Sequence, residues 1–246
     1  MRSLDGQKGL KINNFPEIAR RLNAPRACQL DFWYTKNMLE KARRKGDDTR
    51  EQILSVAEAA VLAKGFAGTS IDEIIAAVGI TKSGFFYHFK DKTELAKGMM
   101  LRYLEHDRQV LDEIFQRGDE LHSDALHGFL VGLKLFAEMF EKLPEAHPGC
   151  LAASFAYQDQ LFSRDIRALN AEGILAWRQR FRERFELIAQ AYPPRQDVDF
   201  EALADMASTL VEGGLVVGRM LNDPHILPRQ IMLYRDYVQT IFLGRN

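Results

Sequence analysis

Lys82, Ser83, Gly84, Phe86 and Tyr87 fall within six residues of one another, and together they have the chemistry to contact a nucleic acid. A lysine donates to guanine acceptors or to phosphate, and a serine serves either a base edge or the backbone. A glycine lets the carrying helix come close to a duplex. Aromatic rings beside a lysine suit sugar, phosphate or thymine methyls. His88 adjoins the set. The bland alternative is that Phe86 and Tyr87 close a small core while Lys82 is an ordinary surface charge.

Other chemistries are thinly represented. Cys150 follows Pro148-Gly149 at a predicted helix start, where the helix dipole favours a thiolate, so it is a candidate sensor of oxidants or electrophiles. A buried, inert thiol is the other reading. The six histidines (88, 106, 122, 127, 147 and 225) are scattered, with no HExxH motif, no ExxH pair and no glycine-rich phosphate loop. His147 and Cys150 sit three apart, but no further ligands accompany them. No metal and no cofactor is therefore expected, and an all-α enzyme remains only a remote alternative.

The elements that must position the first group are helices. Apolar residues recur at three and four, as in Ile53, Ala57, Ala60 and Val61, then Ile71, Ile74, Ile75 and Val78. No alternating strand pattern and no Asn-Gly or Asp-Gly hairpin turn is present. The spacing predicts an all-α protein of about nine helices, at 48–64, 70–77, 81–87, 91–116, 121–143, 149–160, 163–191, 199–221 and 226–242. Gly118 and several prolines are read as breaks between them. Three helix starts carry a short polar residue followed three later by Glu: Asp48 with Glu51, Ser70 with Glu73, and Asp91 with Glu94. Thr81 is a simpler cap. Residues 70–89 thus read as two short helices about a turn at Gly79, a helix-turn-helix whose second helix enters the major groove. Ile80, Phe85 and Phe89 are placed to pack inward, which turns Lys82, Ser83, Gly84, Phe86, Tyr87 and His88 outward.

Charge divides the 246-residue chain in the same way. The formal total is −1, yet residues 1–97 carry 17 Lys+Arg against 12 Asp+Glu, and residues 98–246 carry 16 against 22. A basic front on an acidic body is the footprint of a nucleic-acid module joined to something else. Arg43, Arg44, Lys45 and Arg50 are auxiliary candidates for DNA contact. Three parts follow: a basic extension at 1–46, a helix-turn-helix domain at 47–97 and a helical domain at 98–246. The extension has weak helical patterns at 10–22 and 31–45, and Met38 raises the question of a later translation start. Two cysteines cannot form a disulfide framework, and no apolar run reaches the roughly 18 residues of a membrane span. A cytoplasmic protein with no membrane partner is expected.

The run 49–95, with ILSVAEAAVLAKGFAGTSIDEI at 53–74 and AAVGITKSGFFYHFKDKTEL at 76–95, resembles the DNA-binding domain of the TetR family of bacterial transcriptional repressors. The resemblance covers about fifty residues without gaps. It implies that Lys82, Ser83 and Gly84 face bases and that Thr69 and Lys92 touch phosphate. Ser70 and Thr81, at the helix starts, join that set. The tyrosine usual in this helix aligns with Phe86, one residue before Tyr87, which leaves Tyr87 as a substitute phosphate ligand. The implied function is a ligand-released repressor that binds a palindromic DNA operator as a homodimer. A variant of that function would sense oxidants or electrophiles through Cys150.

Two features of the body bear on that expectation. Ala207, Val211, Gly214 and Gly218 form a small-residue stripe that lets another helix approach closely. The resemblance implies a dimer built from the last two helices, and packing within its own chain is the alternative for the stripe. Met99, Phe136, Met139, Phe140, Phe155, Trp177 and Phe181 are candidates to line a pocket for an unidentified apolar small-molecule effector, in part or as plain core.

Overall fold

The computed structural model describes residues 45–244, with side chains from residue 48 onward. Residues 1–44 of the extension, with Arg43 and Arg44, lie outside the described residues, as does the side chain of Lys45. Within them the chain is all-α, and the helices are α1 Lys45–Lys64, α2 Ile71–Val78, α3 Lys82–His88, α4 Lys92–Leu121, α5 Ala125–Glu141, α6 Leu151–Ala156, α7 Arg164–Ala191, α8 Phe200–Leu221 and α9 Ile226–Leu243. No helix among the described residues is long and apolar enough to cross a membrane.

Two apolar cores organise these elements. The first gathers Ile53, Ala57 and Val61 of α1, Ile74 of α2, Phe85 of α3, and Leu95 and Met99 of α4 into a head. Leu151, Phe155, Phe162 and Ile166, from α6 and its surroundings, belong to the same core. The second core, in the body, joins the far half of α4 to α5, α7, α8 and α9 through residues such as Leu111, Phe129, Phe181, Leu203 and Val238. α4 runs unbroken through residue 97, so one rigid helix spans both cores.

Three sequence expectations change for physical reasons. α1 is already helical at Lys45, so Asp48 is not its cap, and the Glu51 carboxylate instead pairs with Arg102 of α4. Arg102 also pairs with Glu58, which bolts α1 to α4. Gly118 does not end α4 but lies buried inside it. A Cβ there would come within 2.4 Å of the Gly128 carbonyl oxygen and 2.9 Å of the Gly132 nitrogen, so the glycine sets how closely α4 and α5 pass. The helix expected at 149–160 stops at Ala156 and resumes as a single 3-10 turn, Asp159–Leu161. The break lets Phe155 and Phe162 stack at 4.1 Å and both rings meet Phe66 of the head.

Candidate functional site

The site is built from caps outward. Ser70 Oγ accepts the Glu73 backbone N–H at 3.2 Å and fixes the start of α2. α2 ends at Gly79, whose φ of 76° is left-handed, and the Gly79 and Ile80 N–H groups both return to the Ile75 carbonyl. A Cβ on Gly79 would meet nothing within 4 Å, so backbone conformation, not space, calls for glycine there. Thr81 Oγ1 then accepts the Gly84 N–H at 3.1 Å and starts α3. Asp91 caps α4 in the same manner through the Glu94 N–H, at 2.7 Å.

α3 is held by one buried face. Phe85 and Phe89 are sealed in the head core, with ring centroids 5.9 Å apart. Lys82 and Ser83 are exposed on the opposite side, with Phe86 at 42% and Tyr87 at 83% exposure. This excludes a small core around those two rings. His88 is half-buried, its ring edge-on to Tyr87 at 5.0 Å. Gly84 is half-buried as well, and a Cβ on it would sit 3.2 Å from the Thr81 hydroxyl, so the glycine also keeps the cap uncrowded. The nearest carboxylate to Lys82 is that of Asp72 at 3.7 Å, with both groups largely in water, a pairing too weak to withhold the lysine from DNA. Lys90 stands exposed just past the helix and went unnoticed in the sequence, where it looks like any turn residue.

Two residues assigned to phosphate are placed otherwise. Thr69 is only 2% exposed, and its hydroxyl donates to the Gly65 carbonyl at 2.9 Å. Lys92 Nζ donates to the Phe66 carbonyl at 2.7 Å and lies 4.3 Å above the Phe66 ring. Burial, and then the charge of Lys64, lower the Lys92 pKa. Both side chains brace the α1–α2 corner. Arg50 is exposed with its guanidinium 5.0 Å above the Phe89 ring.

The candidate pocket residues separate into two groups. Met99 and Phe155 belong to the head core. Phe136, Trp177 and Phe181 line an apolar cavity in the body with Leu133, Ala207, Leu210, Val211, Ile231 and Tyr234. Its volume of about 10 Å³ is close to the least that holds one water. Met139 packs at the edge of the body core, and Phe140 lines a second small cavity beside His147 and Leu227.

Behind Trp177 lies a buried polar cluster that the sequence did not announce. The indole N–H donates to Asp107, and burial lifts that carboxyl to about 6 against the pull of the Trp177 bond and Arg180. The Tyr103 hydroxyl lies 3.1 Å from Cys150 Sγ. The Glu212 carboxyl, itself raised by burial, lies beside the same thiol. Burial first, and then the Glu212 charge, push the thiol up to about 12. The lowered thiol expected from the helix start is therefore overturned: Cys150 does cap α6, but desolvation outweighs the dipole.

The small-residue stripe faces inward. Ala207, Gly214 and Gly218 are buried and Val211 packs on the body core. A Cβ on Gly214 would meet Leu227 at 2.8 Å, and one on Gly218 the Asp223 carbonyl at 3.1 Å, so the stripe seats α9 within the same chain. The opposite face of α8 exposes Met206, Val216, Val217, Met220 and Leu221, and α9 exposes Leu233 and Tyr237.

Residues 53–99 match the family described as "Bacterial regulatory proteins, tetR family". The HTH-type transcriptional repressor NemR of Escherichia coli is 25% identical over 134 residues, 52% of this chain and 64% of the relative, so the match spans slightly under two thirds of that protein. The HTH-type transcriptional regulator LmrA of Bacillus subtilis is 27% identical over 175 residues, 69% of this chain and 86% of that one. Among solved structures, a TetR transcriptional regulator from Chloroflexus aurantiacus superposes with a TM-score of 0.66 at 27% identity, covering 80% of this chain and 97% of the other. Residues 53–99 thus match the DNA-binding domain of the tetR family of bacterial regulatory proteins, and the described helices share the fold of a TetR transcriptional regulator.

Proposed function

We propose that the protein is a homodimeric transcriptional repressor that presents α3 to the major groove of a palindromic operator and lets go when a small apolar molecule enters the body. The observation that carries this reading is the outer face of α3. Lys82, Ser83, Phe86 and Tyr87 stand in water on a helix fixed by the Thr81 cap and the Phe85–Phe89 anchor. Lys90 joins the basic rim, while Thr69 and Lys92 act by holding the corner beneath it. Arg50 adds positive charge from α1.

Two recognition helices must sit about 34–36 Å apart to read successive turns of DNA, which calls for two chains. The exposed apolar face of α8 and α9 supports a dimer through these helices. Release requires that the effector favour the dimer whose heads are wrongly spaced. The cavity under Trp177 supports entry there, although its walls must part for anything larger than a water. A Cys150 sensor is the less favoured reading, since burial and the adjacent Glu212 carboxylate disfavour the thiolate there.

Lys82→Ala and Tyr87→Ala are each expected to abolish specific binding to the operator, measured by fluorescence anisotropy on DNA flanking the protein's own gene. Sedimentation should show the dimer intact in both. Unchanged affinity in the two variants would sink the assignment of α3. Met220→Glu is expected to shift the sedimenting species to monomer and to weaken operator binding with it, and a persistent dimer would move the interface elsewhere.

A further inference from the structure

The sequence His122-Ser-Asp-Ala-Leu-His127 turns the corner from α4 to α5, at the end of α4 remote from the head. His122 is the last residue of the α4 turn, its N–H returning to the Gly118 carbonyl at 3.0 Å. Asp124 caps α5, its Oδ1 accepting the His127 backbone N–H at 2.9 Å and lying 2.7 Å from His127 Nδ1. The two imidazole rings stack at 4.9 Å with 25° between their planes. One ligand atom from each of the three residues lies within 4.8 Å of the others. A helix cap explains Asp124, but it calls for neither imidazole.

We propose that His122, Asp124 and His127 bind one divalent transition-metal ion at this corner. Two imidazole nitrogens and a carboxylate oxygen suit zinc, nickel or copper better than calcium or magnesium, which prefer oxygen alone. Ligand bonds of about 2.0–2.2 Å put tetrahedral donors roughly 3.3 Å apart. The Asp124–His127 pair is already closer than that, and the ion takes the place of the proton the two share. His122 has to close the remaining gap. It has room to do so, because it is exposed and is held only by its stacking on His127 and a long 3.3 Å hydrogen bond from the Asp124 N–H.

An outer shell is in place. The Tyr192 hydroxyl, at the end of α7, donates to Asp124 Oδ2 at 2.9 Å and fixes the carboxylate, as outer partners do in metal sites. With three protein ligands and one exposed flank, the fourth position is left to water, the arrangement of an open site.

The test uses untagged, full-length protein stripped with a chelator and titrated with Zn²⁺ alone by calorimetry. One ion per chain is expected, with proton release that scales with buffer ionisation and a rise in melting temperature. His122→Ala and His127→Ala should each weaken binding by more than about tenfold and remove the thermal shift, while His225→Ala keeps both. Circular dichroism checks that the variants are folded. Absence of binding overturns the proposal. So does binding that survives in both histidine variants, or binding abolished by Cys150→Ser or Cys28→Ser instead.

Discussion

α3 and the centre of the body are both dense in aromatic rings, and they place them in opposite surroundings. In the body, Phe181 meets Trp177, Phe115, Phe129 and Phe185 at centroid separations of 5.6–6.4 Å, in stacked and edge-on pairs, and all of these rings but the half-buried Trp177 are sealed from water. In α3, Phe85 is sealed in the same fashion while its neighbours Phe86 and Tyr87 are left in solvent. Buried rings contribute to stability through area and quadrupole contacts. Phe86 and Tyr87 keep one edge-on contact each, to Phe85 at 5.4 Å and His88 at 5.0 Å, but leave much of their ring area in water, where it contributes little to stability and is open to a partner. The contrast separates residues that make the fold from residues that use it.

The largest expected effect tests that separation directly. Phe181→Ala should destabilise the protein by about 3–5 kcal/mol, because it removes a ring from five aromatic contacts and enlarges a cavity that cannot fully collapse. Tyr87→Ala should change stability by less than about 0.5 kcal/mol, as an exposed side chain away from any packing feature does. Denaturant unfolding measures both. A Tyr87→Ala variant as unstable as Phe181→Ala would dissolve the contrast.

The two regions also differed in how far they could be read from sequence. The head is specified by local signals: a cap at 70, a left-handed glycine at 79 and a cap at 81 each act over four residues, and all three are found in place. The outward face of α3 follows from those signals and a helical period alone. The body depends on contacts between residues far apart in the chain. A glycine that breaks a helix and a glycine that admits a neighbouring helix look the same, so Gly118 was read as a break. The stripe at Gly214 and Gly218 announces a close helix but not whose it is. Cys150 shows its helix start in sequence, but not the Glu212 carboxylate packed against it. Thr69 and Lys92 fall in the head yet share this difficulty, since their partners are carbonyls at Gly65 and Phe66. His122, Asp124 and His127 match no fixed metal-binding motif, and only the corner between α4 and α5 brings their ligand atoms together.

A second, smaller effect concerns charge. Asp107 is raised to about 6 mainly by burial, so between about pH 4 and 6 the folded chain keeps a proton that the unfolded chain has lost. The contribution of this group to stability is present below the unfolded pKa and is lost as pH rises through 6. Its full span is on the order of 3 kcal/mol. Asp107→Asn keeps an acceptor for the Trp177 N–H and cannot ionise. It should therefore match the parent near pH 4 and exceed it above pH 7, in melting temperature measured across that range. Asp124 moves the other way, down to about 2, chiefly because it accepts the His127 backbone N–H. Its contribution is present above the unfolded pKa and fades as pH falls toward 2. An Asp107→Asn variant that tracks the parent at every pH would place that carboxyl in water instead of behind the indole.

The smallest effect bears on why α3 can hold its rings outside at all. A seven-residue helix is too short to persist unaided, so its first turn relies on the Thr81 cap. Thr81→Ala leaves the Gly84 N–H without its acceptor and should cost about 1 kcal/mol. The same loss frays the turn that carries Lys82 and Ser83, so operator affinity should fall even if Thr81 never touches DNA. Thr81→Ser restores the hydroxyl and removes only a methyl group. If the cap is what matters, the serine variant regains both stability and affinity. If it regains stability while affinity stays as low as in the alanine variant, the methyl group itself meets the operator, and Thr81 belongs with Lys82 and Tyr87 on the side of α3 that uses the fold.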